Sequence, residues 1–377
     1  MRALALGSRG GTPRSGRDGS SAASRRRLGR RMRVRPRPWL DGLTPYRPGS
    51  HQADESGLLA SNESPFGVDP AVVRSVMQAA EVIHRYPDPL ASRLRDTIAR
   101  RHRLSPEQVL VGNGSDELIY LLTWAFAANG GSVVCADPAY QLDVIAARVA
   151  GAVVRQVPTV EWRHDLDAMA HVEANLAYIV NPHNPTGTAL SISQVADFAQ
   201  RSRADIVVVD EAYVDFADVQ SSIPLAASGK LLVLRTLSKL YGLAGARIGY
   251  LVGGTHVLDV LRAIRPPFSV NTLAQAAAQA ALEGTEHYQA VREATIRNRG
   301  RLIAVLEQHG LKPVPSEANF VLVPHVEEGR FVSCAQDAGV AIRPGRPLGV
   351  PGCVRITVPD DIGLARIAQA VARYCSA

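Results

Sequence analysis

The stretch that decides the fold is LLVLRTLSKLYGLAGARIGY, residues 231–250. Its first four residues, Leu231 to Leu234, form a short apolar run of the kind that builds a buried strand. The run ends in a polar cluster, Thr236 to Lys239, and small residues and glycines follow as far as Arg247. Lysines on helix surfaces are usually scattered among glutamates, yet no acidic residue occurs between Thr236 and Tyr250. Lys239 therefore has no local ion-pair partner, and another role has to be sought for it.

The same pattern recurs outward from this segment. Apolar runs at 132–135, 152–157, 176–180 and 205–209 read as strands, and helical patterns at 115–128, 140–150 and 193–202 lie between them. Apolar strands separated by helices predict an α/β fold, with a large domain built on a mostly parallel sheet flanked by helices. Strands end in polar clusters: Asp137-Pro138, Asn181-Pro182, Asp210-Glu211, and Thr236 to Lys239. Ligands of open α/β sheets sit at the carboxyl ends of strands, so the clusters are expected to converge on one site. After Arg265-Pro266-Pro267 the pattern changes. A long Ala-rich helical stretch over 272–308 leads to short strands at 320–323 and 354–358, a second and smaller α+β domain. The expected division is a basic tail over 1–35, a large domain over 69–265, and a small domain from 36–68 with 266–377. No internal repeat is visible.

Composition limits the function classes. A chain of 377 residues can bury a sizeable core, and one large domain with a smaller one is expected. The longest apolar stretch, 118–128, is too short to span a bilayer, which argues against a membrane protein. Four cysteines, Cys135, Cys334, Cys353 and Cys375, show no paired metal-ligand spacing and read as reduced thiols of a cytoplasmic protein without a metal. The net charge of +7 divides unevenly, because residues 1–35 carry 11 arginines against the single acid Asp18. The tail is thus +10 and the remainder −3. Rich in Gly, Ser and Arg and poor in large apolar residues, the tail reads as disordered. It is a segment ahead of a true start at Met32, an acid-poor transit peptide, or a non-specific nucleic-acid binder. Nucleic acid is the weakest of the three, since no aromatic residue is interleaved with the arginines for base stacking.

A lysine at a strand end, desolvated by small apolar neighbours, is a nucleophile for an aldehyde. Pyridoxal 5′-phosphate supplies such an aldehyde, and it also needs a carboxylate at its ring nitrogen, a phosphate cradle and a stacking group. Asp210 closes an apolar strand, where a buried carboxylate is costly unless it meets a cation such as a pyridinium. Tyr213, three residues on, and Asn184 in the Pro-locked block NPHNPTGT can donate to the ring's phenolate oxygen. GNGSDEL, residues 112–118, opens a helix that Ser115 or Asp116 would cap and whose N–H groups would hold a phosphate. Ser238 and Arg247 add a hydroxyl and a charge to that cradle. Tyr140 in DPAYQ is placed to lie against the ring. Each motif also has a plain structural reading, as a turn, a capped helix or a core tyrosine, and the cofactor reading rests on their joint occurrence.

With these residues in view, the chain resembles the fold-type I pyridoxal-phosphate aminotransferases, and within them it is most similar to the histidinol-phosphate aminotransferases. The matching blocks run in family order from residue 43 to 358: LTPYRPG, ASNESPFG, RYPD, GNGSDEL, NPHNPTG, VVDEAYVDF, RTLSKLYGLAGARIGY, RPPFSVN, EANFVLV, AIRP and CVRITV. The resemblance implies that Lys239 is the Schiff-base lysine and proton carrier, that Asp210 partners the ring nitrogen, and that Asn184 and Tyr213 face the phenolate oxygen. It implies Tyr140 as the stacking ring, and Gly114, Ser115, Asp116, Ser238 and Arg247 as the phosphate site. Tyr86 in RYPD resembles a tyrosine that reaches into the neighbouring subunit's site, which implies a homodimer with shared active sites. Tyr46, Asn319, Arg343 and Arg355 resemble the substrate contacts. His183 stands where the family more often carries asparagine, and no catalytic base is assigned to it.

The arginines carry the substrate expectation. Arg355 lies in a strand-like run, CVRITV, where an unpaired buried charge is expensive, and a planar guanidinium holds a carboxylate or a phosphate equally well. That suits ping-pong amino transfer between histidinol phosphate and 2-oxoglutarate in histidine biosynthesis. An aromatic amino acid aminotransferase and a threonine-phosphate decarboxylase of cobalamin synthesis share most of these blocks and are the alternatives.

Overall fold

The computed structural model describes residues 36–43, 45–50, 52–226 and 229–376. The expectation of a disordered tail over 1–35 lies outside the described residues. Residues 36–41 belong to a separate unit, in which Pro38–Leu40 form a 3-10 turn and the Arg37 guanidinium stands 5.2 Å from the Trp39 ring centroid.

From Gly42 onward the chain forms one unit with two sheets. It begins with β1 (Leu58–Leu59), α1 (Pro70–Ala80), α2 (Ser92–His102), β2 (Val109–Gly112), α3 (Gly114–Phe126), β3 (Ser132–Asp137) and α4 (Gln141–Ala150). There follow β4 (Val153–Pro158), α5 (Leu166–Ala170), β5 (Ala174–Val180), α6 (Ile192–Arg201), β6 (Ala204–Asp210), β7 (Leu231–Thr236), β8 (Gly249–Val252) and α7 (Thr255–Ile264). The chain ends with α8 (Thr272–Glu283), α9 (Thr285–Gln308), β9 (Phe320–Pro324), α10 (Glu328–Asp337), β10 (Ala341–Pro344), β11 (Cys353–Thr357) and α11 (Asp361–Cys375).

The large sheet has seven strands in the order β2-β8-β7-β6-β5-β3-β4. The pairs β3–β4, β3–β5, β5–β6 and β6–β7 are parallel, whereas β8 runs antiparallel to both β7 and β2. This is the mostly parallel sheet expected from alternating strands and helices. Period-two alternation splits its side chains into two cores. Val134, Ala177, Ile179, Val207, Val209 and Val233 pack on one face, with Leu94 and Ile98 of α2, Phe198 of α6 and the alanines of α8. Val133, Leu176, Tyr178, Val208, Leu232 and Leu234 pack on the other, with Leu118 and Leu122 of α3, Ala146 and Ala147 of α4, and Leu258 of α7. Burying each Val or Leu contributes about 1.5–3 kcal/mol, and a sheet covered on both faces explains strands that read as unbroken apolar runs.

The smaller sheet has four strands in the order β1-β10-β11-β9. Strand β1 comes from the N-terminal side of the large sheet and pairs in parallel with β10, while β10–β11 and β11–β9 are antiparallel. Its core joins Val321, Val323, Ile342 and Ile356 to Leu302 of α9, Phe331 of α10 and Ile367 of α11.

Three sequence expectations change. The helical stretch 272–308 is two helices, α8 and α9, separated at Gly284, which has no side chain to hold the helical conformation. Strands β1, β2, β8 and β10, of two to four residues each, are additional to those expected from the sequence. Helix α3 is capped by neither Ser115 nor Asp116: it begins one residue earlier, at Gly114, and its N-cap Asn113 makes no side-chain cap bond.

Candidate active site

Strand ends of the large sheet meet in one cavity of about 330 Å³. Tyr140 follows β3, Asn184 lies in the turn after β5, Asp210 ends β6 with Ala212 and Tyr213 beyond it, and Thr236, Ser238 and Lys239 end β7. Ser115 and Asp116 of α3, Ala244, Gly245 and Arg247 close one end, and Tyr46, Ser61, Asn62, Glu63 and Arg355 close the other.

Lys239 is half-buried, and its Nζ donates to the Ser61 carbonyl at 3.2 Å and stands 5.7 Å from the Tyr213 ring centroid. Burial first, then the positive charge of Arg355, brings its ammonium down to about 8. A substantial fraction of free amine near neutral pH follows. Asp210 is 3% exposed, and its Oδ1 accepts from the Ala212 amide at 2.9 Å. Burial pushes its carboxyl up to about 7 against that hydrogen bond, so it becomes a settled carboxylate only beside a cation.

The Tyr213 hydroxyl receives two amide donors, Asn62 Nδ2 at 3.1 Å and Asn184 Nδ2 at 3.3 Å. Asn184 Oδ1 in turn accepts from Arg355 Nη1 at 2.7 Å, and Arg355 Nη2 donates to the Ala60 carbonyl at 2.9 Å. Arg355 is 5% exposed, lies 5.1 Å from the Phe320 ring centroid, and makes no ion pair with a carboxylate among the described residues. Burial therefore pulls its guanidinium below the usual range.

At the other end the backbone closes tightly. Gly114 has φ +76°, and a Cβ there would lie 2.9 Å from Arg247 Nη2. A Cβ on Gly249 would lie 2.7 Å from the Ser115 amide nitrogen, so β8 approaches the start of α3 as only glycine permits. Arg247 itself is left-handed at φ 58° and pairs with Asp116 Oδ2 at 3.0 Å. The first N–H groups of α3, uncapped by any side chain, form an anion-binding helix end beside Ser115 and Ser238.

Of the residues singled out from the sequence, Lys239, Asp210, Tyr213, Asn184, Tyr140, Ser115, Asp116, Ser238, Arg247, Tyr46 and Arg355 line this cavity, and Gly114 stands behind it. Three do not line it. Asn319 is buried and donates Nδ2 to the Asn62 carbonyl at 3.1 Å, so it reaches the cavity only through Asn62. Arg343 is buried behind Tyr46, with its guanidinium 5.7 Å from that ring and a bond to the Arg47 carbonyl. Tyr86 is 83% exposed and stacks on Phe268 at 4.6 Å, away from its own chain's cavity. Sequence reasoning missed Asn62, Ser61 and Glu63, while Thr236 lines the cavity as part of the expected cluster Thr236 to Lys239. Asn62 sits at φ 57°, gives its amide N–H to Thr357 Oγ1 at 3.0 Å and accepts from that hydroxyl at 3.2 Å. Its block, ASNESPFG, was visible, but nothing in the spacing marked that asparagine as a cavity residue.

Comparison with known proteins agrees with this geometry. A profile of the family described as "Aminotransferase class I and II" matches residues 57–371. The chain is 37% identical to a histidinol-phosphate aminotransferase of Halalkalibacterium halodurans, over 90% of this chain and 98% of that one. It is 38% identical to an aromatic amino acid aminotransferase of Thermobifida fusca, over 85% and 92%. Among solved structures, histidinol-phosphate aminotransferase from Sinorhizobium meliloti in complex with pyridoxal-5′-phosphate superposes with a TM-score of 0.83 at 28% identity, covering 91% of this chain and 98% of that one.

Proposed function

The chain belongs to the class I and II aminotransferase family, and from that premise we propose that it uses pyridoxal 5′-phosphate to exchange an amino group between histidinol phosphate and 2-oxoglutarate. The observation that carries the substrate reading is Arg355, a buried guanidinium on the cavity wall with hydrogen-bond acceptors but no carboxylate of its own. A buried cation in that state is completed by an anion from outside, and its planar fork takes a carboxylate or a phosphate. Both substrates carry one.

The residues present fit the cofactor. The glycine-lined start of α3, with Ser115, Ser238 and Arg247, would hold its phosphate. Asp210, raised to about 7 by burial, would regain its charge opposite a protonated ring nitrogen. Tyr140 would cover the ring, and Tyr213 and Asn184 would face its phenolate oxygen. Pyridoxal phosphate, when bound, supplies an aldehyde for a lysine and a ring that takes up the electrons released at the substrate's Cα. Lys239 would hold the aldehyde, and its Nζ, with a pKa near 8, would serve as the base for the Cα proton. Arg355, steadied by Asn184 and Ala60, would orient the substrate's anionic group. Arg343 and Asn319 would act from behind the cavity, through Tyr46 and Asn62.

We also infer a homodimer in which Tyr86 reaches the neighbouring site; the support is a large ring left at the surface beside Phe268. Among the described residues no helix is long and apolar enough to cross a membrane. Cys135, Cys334, Cys353 and Cys375 are all free thiols, which supports a cytoplasmic setting.

The test is a half-reaction. The protein loaded with cofactor is mixed with one amino donor at a time, without acceptor, and the absorbance band of the lysine-bound cofactor is followed. Histidinol phosphate is expected to bleach it fastest. A preference for phenylalanine would move the assignment to the aromatic reading, which the Thermobifida relative favours. Carbon dioxide release from threonine phosphate would move it to a decarboxylase. Absence of the band in protein given excess cofactor would overturn the reading of Lys239.

A further inference from the structure

The turn that presents Asn184 is held from behind by a histidine with no role in the steps above. His183 is 1% exposed. Its Nε2 lies 3.1 Å from the Pro138 carbonyl, just past the end of β3, and its Nδ1 lies 2.9 Å from Thr186 Oγ1. The edge of the ring meets His164, also buried, at 4.4 Å between centroids. Thr186 Oγ1 lies 2.9 Å from Thr188 Oγ1, which donates to the Trp162 carbonyl at 2.9 Å.

Counting protons fixes the arrangement. A carbonyl can only accept, so Nε2 carries a proton. A charged ring would supply protons for all four contacts from Pro138 to Trp162, and a neutral ring leaves the contact between the two threonines without one. No carboxylate pairs with His183, however, and an unpaired buried cation costs more than one hydrogen bond returns. Burial accordingly lowers its pKa to about 4. The ring is neutral, Nε2–H donates to Pro138, and Nδ1 accepts from Thr186.

The two anchor points are the Pro138 carbonyl and the Thr186 hydroxyl. Pro138 stands two residues before Tyr140, which is on one wall of the cavity. Thr186 closes the turn whose Asn184, another part of the cavity wall, meets Tyr213 and Arg355. We propose that His183 is a positioning residue that ties these walls together, setting Tyr140 through the Pro138 carbonyl and Asn184 through Thr186. A displaced Asn184 would release both the Tyr213 hydroxyl and Arg355 Nη1, so one strut serves cofactor and substrate alike. This inference rests on the reading of the cavity as the cofactor site.

The experiment compares His183→Leu, His183→Asn and Thr186→Val with wild type and with Val208→Ala, a core change on the other face of the large sheet. Unfolding of each apoprotein, the cofactor Kd by fluorescence titration, and KM and kcat are measured. For His183→Leu we expect the cofactor Kd and the KM of both substrates to rise about tenfold or more, with kcat changed less, since small displacements of contact groups weaken binding to that degree. His183→Asn should recover part of the loss, because its amide oxygen can replace Nδ1 as the acceptor for Thr186 while its shorter side chain falls short of Pro138. Thr186→Val should fall between, and it keeps the inference testable if the leucine variant does not fold. Nitrogen-15 NMR of His183 should show the neutral Nε2–H tautomer at pH 7.

A leucine variant destabilised like Val208→Ala, but with unchanged Kd and KM, would overturn the inference. So would an asparagine variant no better than leucine, or a charged or Nδ1–H ring at pH 7. If wild type itself shows no lysine-bound cofactor band, the site reading fails instead, and the tautomer result still stands on its own.

Discussion

Arg343 and Arg355 face each other directly across the antiparallel pair β10 and β11. Like charges in that position repel, and both side chains are buried, at 2% and 5% exposure. Among the described residues, neither is relieved by a carboxylate. Arg343 turns to the Arg47 carbonyl and the Tyr46 ring, Arg355 to Asn184, Ala60 and Phe320, and the Nε of each has no partner. Burial lowers the pKa of both guanidinium groups, and for Arg355 the charge of Arg343 adds to the effect. The small sheet thus presents the charge of Arg355 to the cavity, with that of Arg343 close behind it.

Removing that charge should trade binding for stability. In Arg355→Met we expect the KM of both anionic substrates to rise about 100-fold, the loss of a charge-assisted pair, while the apoprotein gains roughly 1–2 kcal/mol in denaturant unfolding. Arg343→Gln should raise KM less, because it stands behind Tyr46. Equal KM values in Arg355→Met and wild type would show that the anion binds elsewhere.

Asp210 gives a pH prediction for the apoprotein. Its folded pKa is raised to about 7 from an ordinary 3.8. The fold therefore favours the protonated carboxyl, and stability from this group is full at low pH and is lost as pH rises from about 4 to about 7. Asp210→Asn abolishes that loss. The stability difference in favour of the asparagine variant should widen across this window to about 4 kcal/mol, at about 1.4 kcal/mol per pH unit, and then level off. Thermal unfolding of both apoproteins from pH 4 to pH 9 checks it. With cofactor present the order should reverse, because the amide cannot balance a pyridinium.

Gly114→Ala places a methyl group 2.9 Å from Arg247 Nη2 at a φ of +76°. The chain there cannot relax to negative φ without moving the first turn of α3. We expect cofactor affinity to fall at least tenfold, with roughly 1 kcal/mol or more lost in stability. Competition by inorganic phosphate should weaken in parallel, which distinguishes damage to the phosphate cradle from a general loss of fold.

Tyr86 is tested by complementation. Tyr86→Ala and Lys239→Ala should each be impaired alone, and a mixed preparation should regain activity through dimers in which one site has both residues native. Mixed samples that stay inactive, despite confirmed subunit exchange, would remove Tyr86 from the neighbouring site.

The sequence made the site legible to different depths. Lys239, Asp210, Tyr213 and Asn184 each end or follow an apolar strand, and strand ends in such a sheet must meet, so the centre of the cavity could be read from periodicity and polar punctuation. Ser115 and Asp116 line the cavity as expected but do not cap α3, because a cap and a free helix end share the same residue types. Asn62 went unnoticed because it sits in an irregular segment with no period to fix its direction, and its contacts are to Thr357 and Asn319, far along the chain. Arg343 and Arg355 looked alike as arginines in strands, and the register even makes them direct neighbours; only their contacts show that Arg355 stands at the cavity and Arg343 behind Tyr46. Strands β8 and β10 were hidden by their composition, since glycine opens GYLV and arginine and proline end AIRP, leaving no unbroken apolar run of the kind seen at Leu231 to Leu234.

Strand β1 ties the order of assembly to the chemistry. Leu58 pairs with Ala341 and Leu59 with Ile342, so two residues made early must wait for two made near the end. Closing so long a loop is an entropic barrier that local helices and adjacent strands do not face. The neighbouring Ala60 and Ser61 carbonyls, which receive Arg355 and Lys239, come into register with that closure. On a ribosome, the large sheet can be complete while Lys239 still lacks the Ser61 carbonyl in register, and a nascent chain cut short before β10 would lack Arg355 altogether.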